Sequence, residues 1–164
     1  CWISHPYFTG PALEAFPKNN QLSEMLPDMD KYPDLIMDGK GPRTMAGLRK
    51  NIRVGIAYIH GWNKNLGCVA LDNMMEDLAT LEISRAQTWQ WLHNKIQLDD
   101  GDAVSNDLIL KTFQEELDKI FNELNIDKSS PEMSNFTKAM EEAYSLFTKE
   151  QLDEFLAIKS DIES

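Results

Sequence analysis

Cysteine is scarce in this sequence: Cys1 and Cys68 are the only two among 164 residues. A disulfide-stapled scaffold is therefore excluded, and the chain is long enough to bury a core of its own. Long apolar runs are missing too, with nothing approaching the roughly 20 residues that a membrane-spanning helix needs. Cations are outnumbered, 16 Lys and Arg standing against 27 Asp and Glu for a formal net charge of −11. A general nucleic-acid binder needs the opposite balance to face phosphates. There is no glycine-rich phosphate loop, no GxSxG elbow and no CxxC pair, and His5, His60 and His93 lie far apart without ligand spacing. Neither a nucleotide cradle nor a zinc site is expected. What is present is ordinary, 42% apolar and 26% charged residues, the composition of a globular domain. We read it as acidic, reduced and intracellular, with no partnership with nucleic acid or membrane.

The charge is unevenly placed. Residues 1–94 hold 10 acids and 9 bases, while residues 95–164 hold 17 acids and 7 bases. The second half has the look of solvated helix faces, which directs the search for chemistry to the first. Six of the seven prolines fall within residues 1–42, so loops and short elements are expected there. The opening Cys1-Trp2-Ile3-Ser4-His5-Pro6 lacks an initiating Met and reads as the tail of a strand at a processing or cloning boundary.

From Thr44 the pattern becomes helical. Met45, Leu48, Ile52, Ile56 and Ile59 recur at steps of three or four, one apolar face of a helix. Arg43, Arg49, Lys50 and Arg53 form the densest basic cluster, for which a solvated helix face is the first reading and a local anion site the second. An irregular stretch from Trp62 to Met75, turning at Gly67, leads to a second helix from near Asp77 to about Asn94. Asp99-Asp100-Gly101-Asp102 is a linker, and a third helix follows from Asn106 with Leu110, Phe113, Leu117, Ile120 and Leu124 on one face. Ser130-Pro131 signals a fourth, with Phe136, Met140, Ala143 and Phe147 inward. Thr148-Lys149-Glu150-Gln151 has capping-box spacing and predicts a fifth, carrying Leu152, Phe155 and Leu156. Nothing past residue 44 alternates as a strand. The expected fold is all-α, five helices behind a loop-rich leader.

The candidate chemistry lies at Asp72, Glu76 and Asp77, where a loop enters the second helix. Such an acid is most often an N-cap. Two further readings are a set of magnesium ligands and a general base at a pocket mouth, a role compatible with capping.

Two segments carry a resemblance. Thr44-Met45-Ala46-Gly47-Leu48-Arg49-Lys50-Asn51-Ile52-Arg53-Val54-Gly55, and Asn73-Met74-Met75-Glu76-Asp77-Leu78-Ala79-Thr80-Leu81-Glu82-Ile83-Ser84-Arg85 with the following Trp89-Gln90-Trp91-Leu92, are similar to the C-terminal part of malate synthase. The opening six residues resemble the end of that family's TIM barrel. The resemblance implies that residues 1–42 are the tail of the barrel and a linker, and 43–164 a helical plug closing over the barrel mouth. It implies condensation of acetyl-CoA with glyoxylate and water to give malate and CoA, an acyl transfer of the glyoxylate cycle. By match to the motif, Asp77 is the catalytic base, Met75 faces substrate, and Pro6 lines the CoA channel near the adenine. The family's magnesium ligands and its enolate-stabilising Arg belong to strands upstream of Cys1, so this chain alone is expected not to turn over. The ending Asp161-Ile162-Glu163-Ser164 is not Ser-Lys-Leu, which favours the cytoplasm over a peroxisome. The alternatives are a stand-alone acidic helical interaction module and an all-α magnesium enzyme acting on diphosphates.

Overall fold

The computed structural model describes residues 3, 6–18, 41–127 and 129–156. The chain divides into two compact units, residues 1–41 and 42–164. In the first, a 3-10 turn (Pro6–Phe8) runs into a short helix, α1 (Thr9–Ala15), none of whose residues is buried. These are the short elements that the prolines predict; the expectation for residues 19–40 lies outside the described residues.

The second unit is built around α2 (Met45–Trp62). Thr44 caps it in extended conformation, its hydroxyl accepting from the Gly47 amide at 3.0 Å, which satisfies one of the free donors of the first turn. The expected stripe is the buried one: Leu48, Ile52 and Ile56 are fully covered and Ile59 nearly so. Around α2 lie α3 (Leu78–His93), α4 (Asn106–Glu123) and α5 (Pro131–Thr148), all three in contact with it. Phe147 of α5 packs over Gly55, where an added Cβ would stand 2.8 Å from the ring, and meets Phe113 of α4 edge to face at 5.7 Å. Ser105 and Ser130 cap α4 and α5 through their hydroxyls, with Pro131 opening α5. On α4 the buried face is Ile109, Phe113, Leu117 and Ile120, whereas Leu110 and Leu124 are exposed. The expected face is thus right in the middle of α4 and wrong at both ends, because Ile109 and not Leu110 turns into the core.

Two expectations are corrected. First, a β-hairpin stands where an irregular stretch was expected: β1 (Cys68–Leu71) and β2 (Met74–Asp77) pair antiparallel, with Val69 opposite Glu76 and Cys68 opposite Asp77. The turn is Asp72-Asn73, both at positive φ (50° and 63°), not Gly67. Asp and Asn tolerate the left-handed region that two-residue hairpin turns demand. Val69 lies so close on Gly61 of α2 that any β-carbon there would collide with it. Second, residues 149–156 are not a fifth helix. They form a strap fastened to α3: Trp89 Nε1 donates to the Lys149 carbonyl at 2.8 Å, Arg85 to that of Asp153 at 3.1 Å, and the Leu156 amide donates to Glu82 Oε1 at 2.8 Å. These bonds outcompete the helical ladder, and Leu156 is buried. The all-α class holds, five helices and one small hairpin among the described residues, the remaining helix being α1 in the leader.

Candidate active site

Asp77 is the hinge between β2 and α3. It is extended (φ −118°, ψ −171°) and is the N-cap of α3. Its Oδ1 accepts from the Thr80 amide at 3.2 Å and the Thr80 hydroxyl at 3.4 Å. Oδ2 carries no hydrogen bond among the described residues. The cap therefore fixes where the carboxylate points and leaves one oxygen open, so capping and a chemical role coexist on one side chain.

Side chains of a strand alternate between faces, and β2 uses this. Glu76 is turned inward and 2% exposed, while Met75 and Asp77 are exposed on the opposite face, Met75 at 43%. The structure thus brings Met75 and Asp77 to one side. Cys68, a free and exposed thiol, is the cross-strand partner of Asp77. Beneath them Tyr58 of α2 is buried, its hydroxyl donating to the Gly67 carbonyl at 3.3 Å. Burial, reinforced by the charges of Asp77 and Cys68, pushes the Tyr58 phenol above its ordinary 10.0, so it stays neutral behind the site. Pro6 belongs to the 1–41 unit, exposed at the start of the 3-10 turn.

The α2 members of the basic cluster, part-exposed Arg49 and Lys50 and the more covered Arg53, are paired with the chain's own acids. Lys50 Nζ lies 3.0 Å from Glu76 and 3.3 Å from Asp72. Arg53, 13% exposed, meets Glu123, Asp72 at 3.6 Å and Glu116 at 3.8 Å. Arg49 pairs with Glu115 and with Glu116 at 2.9 Å. Hydrogen bonding to Arg49 holds the Glu115 carboxyl below its ordinary range. Arg43 takes part through its backbone, which donates to Asp99 Oδ2 at 3.1 Å. The chain's own carboxylates have filled the anion site.

The same pairs engage two of the three acids read as possible magnesium ligands, Asp72 and Glu76. Asp72 and Glu76 are committed to Lys50, and Glu76 points away from the face that Asp77 occupies. No group of three His, Cys, Asp or Glu side chains among the described residues converges as a metal site. His60 pairs with Glu132 at 3.0 Å and stacks on Phe136, and His93 stacks on Trp89; His5 lies outside the described residues. A cavity of about 170 Å³ beneath β1 is lined by Arg53, Ala57, His60, Val69, Leu71 and Phe136 and does not include Asp77. The sequence carries no signal for Tyr58 or for the Glu76–Lys50 pair, since neither partner stands in a recognisable spacing with the other.

Taken together, the unit is a helical domain presenting one capped, half-open carboxylate from a hairpin. A family profile described as "Malate synthase, C-terminal" matches residues 42–162, and the chain belongs to that family. It is 42% identical to a malate synthase of Myxococcus xanthus over 127 residues, 74% of this chain and 24% of that protein. It is 34% identical to malate synthase A of Escherichia coli over 165 residues, 96% of this chain and 30% of the relative. A bifunctional glyoxylate cycle protein of Caenorhabditis elegans is 35% identical over 160 residues, 94% of this chain and 16% of the relative. The chain therefore spans less than a third of the curated relatives it matches. No helix among the described residues is long and apolar enough to cross a membrane.

Proposed function

We propose that this chain is the part of a malate synthase that carries the catalytic base, the whole enzyme being an acyltransferase that makes malate and CoA from acetyl-CoA, glyoxylate and water. The observation that supports it most is the Asp77 carboxylate, exposed beside Met75 and aimed by the first turn of α3. The names of the relatives point the same way.

A thioester methyl group is a weak carbon acid, so its deprotonation needs a positioned base, a stabilised enolate and a dry site. Asp77 supplies the first. Its open oxygen takes a methyl proton, the C–H electron pair passes into the enolate, and the enolate carbon attacks the aldehyde carbon of glyoxylate, whose C=O π pair moves to oxygen as an alkoxide that takes up a proton to become the malate hydroxyl. Water then cleaves the thioester, releasing CoA. Met75 borders the substrate on the same face, and Pro6 serves the CoA channel.

The other two requirements fall to the barrel domain. Arg49, Lys50 and Arg53 are engaged with carboxylates and are not free to stabilise an oxyanion. Each missing oxyanion donor costs about 2.7–4 kcal/mol of transition-state stabilisation, so the isolated chain does not turn over. Magnesium would supply charge stabilisation when bound; Asp72 and Glu76 are engaged with Lys50, and we assign the ion's ligands to the barrel domain. Met74 and Met75, exposed on the hairpin, are the apolar surface we assign to the barrel mouth. The compartment we propose is the cytoplasm, although a relative from Brassica napus is named glyoxysomal. The stand-alone interaction module has no observation in its favour.

The test is Asp77→Asn in the full-length enzyme, assayed by glyoxylate-dependent thiol release. We expect activity to fall about 10²–10⁴-fold, the usual contribution of a general base, with folding retained because Asn also caps helices. Activity near wild type refutes the assignment.

A further inference from the structure

We infer that the ion pair between buried Glu76 and half-exposed Lys50 is a positioning device that helps turn Asp77 outward for catalysis. The inference rests on the reading of Asp77 as the base, and it adds two residues that do not touch substrate.

A strand normally chooses its inner face by its apolar residues. In β2 the choice is inverted: Met74 and Met75 are exposed at 58% and 43%, and the single buried residue is a glutamate. Burying a carboxylate is costly unless a cation meets it, and Lys50 Nζ does so at 3.0 Å. Lys50 stands on α2, near the Thr44 cap and in the most covered helix of the unit. The same ammonium reaches Asp72 in the hairpin turn at 3.3 Å, and Arg53 reaches Asp72 at 3.6 Å. One lysine thus grips the hairpin at its tip and at its exit.

The consequence follows from the strand period. The two-residue turn sets the register between β1 and β2, but it does not decide which face meets α2. Val69, seated on Gly61, and its cross-strand partner Glu76, met by Lys50, share one face and together settle it for the hairpin. Because residues 76 and 77 point to opposite faces, holding Glu76 in is the same act as holding Asp77 out. The Thr80 bonds then set the direction of the carboxylate.

The experiment uses the full-length enzyme with Lys50→Met, Lys50→Arg, Glu76→Gln and Asp77→Asn, and Lys138→Met as an exposed control on α5. Steady-state kinetics are paired with hydrogen exchange at the Thr80 amide. For Lys50→Met we expect kcat about 10–100-fold lower, the scale of a misplacement near 1 Å, KM for acetyl-CoA within about twofold, and faster exchange at Thr80. Lys50→Arg restores kcat to within about threefold of wild type, since the pair is kept. If Lys50→Met does not fold, Glu76→Gln, which leaves no buried charge, shows the same pattern at smaller size. Unchanged kcat in both variants overturns the inference. So does a loss of stability with kcat per folded molecule intact, which is what a merely structural pair would give. If Asp77→Asn keeps its activity, the base assignment fails. Thr80 exchange in Lys50→Met then decides by itself whether the pair holds Asp77, unchanged exchange refuting it.

Discussion

The helical core and the hairpin are neighbours in one unit, yet they are held by different forces. Between α2, α4 and α5 the interior is mainly apolar: Ile52, Phe113, Ala139, Ala143 and Phe147 are fully covered, rings meet edge to face, and ion pairs from Arg49 and Arg53 to Glu116 of α4 flank it. The hairpin has four residues per strand, one of them a buried acid, and is tied to α2 by the Lys50 ion pairs as well as by Val69 against Gly61. Apolar packing is non-directional and large, whereas an ion pair is directional and small in net stability. The core thus rests mainly on apolar packing and the hairpin more on charge, and Asp77, the base we propose, sits on the hairpin.

The core side of the comparison breaks hardest. Phe147→Ala removes a ring between Gly55 and Phe113 and should destabilise the unit by about 3–5 kcal/mol, read as a lower urea midpoint with all helices lost together. Lys50→Met belongs to the other side and comes second in size for stability, its main effect falling on kcat. A midpoint shift for Lys50→Met as large as that of Phe147→Ala would erase the distinction.

The smallest effect is a pH slope. Burial holds His60 below its ordinary 6.5, Lys64 adds to this, and Glu132 opposes it. A depressed folded pKa means that the unfolded chain binds the proton first. Stability from this group is therefore complete above 6.5 and is lost as pH falls below 6.5 toward the folded value. The depressed carboxyls, Glu132 held down first by Lys64, lose their contribution only further down, below 4.5. Urea midpoints between pH 4.5 and 6.5 should fall more steeply for the wild type than for His60→Gln, and equal slopes would refute this.

Legibility in the sequence follows the same division. The α2 stripe and the Ser130 cap are readable because apolar period and capping chemistry are local, whereas the Thr44 cap is a finding of the structure. The hairpin is not readable, since four-residue strands with Met outside and Glu inside give no alternation to find, and Asp72-Asn73 replaces the usual Asn-Gly. The strap after Thr148 is not legible in the sequence: its capping-box spacing is genuine, but the deciding bonds come from Glu82, Arg85 and Trp89, far away in the chain. Asp77 was legible as a cap from its position and as a base only through the resemblance of the Met-Glu-Asp segment. That Glu76 and Lys50 orient it depends on a contact between distant residues, which no local pattern announces.

The most direct measurement of the central claim mixes this chain with a separately made barrel domain, with acetyl-CoA, glyoxylate and magnesium, and follows thiol release. The account predicts no activity from either piece alone, activity from the mixture, and loss of that activity by about 10²–10⁴-fold when the chain carries Asp77→Asn. An Asp77→Asn mixture as active as the wild type would contradict it, and the base would then have to be sought elsewhere.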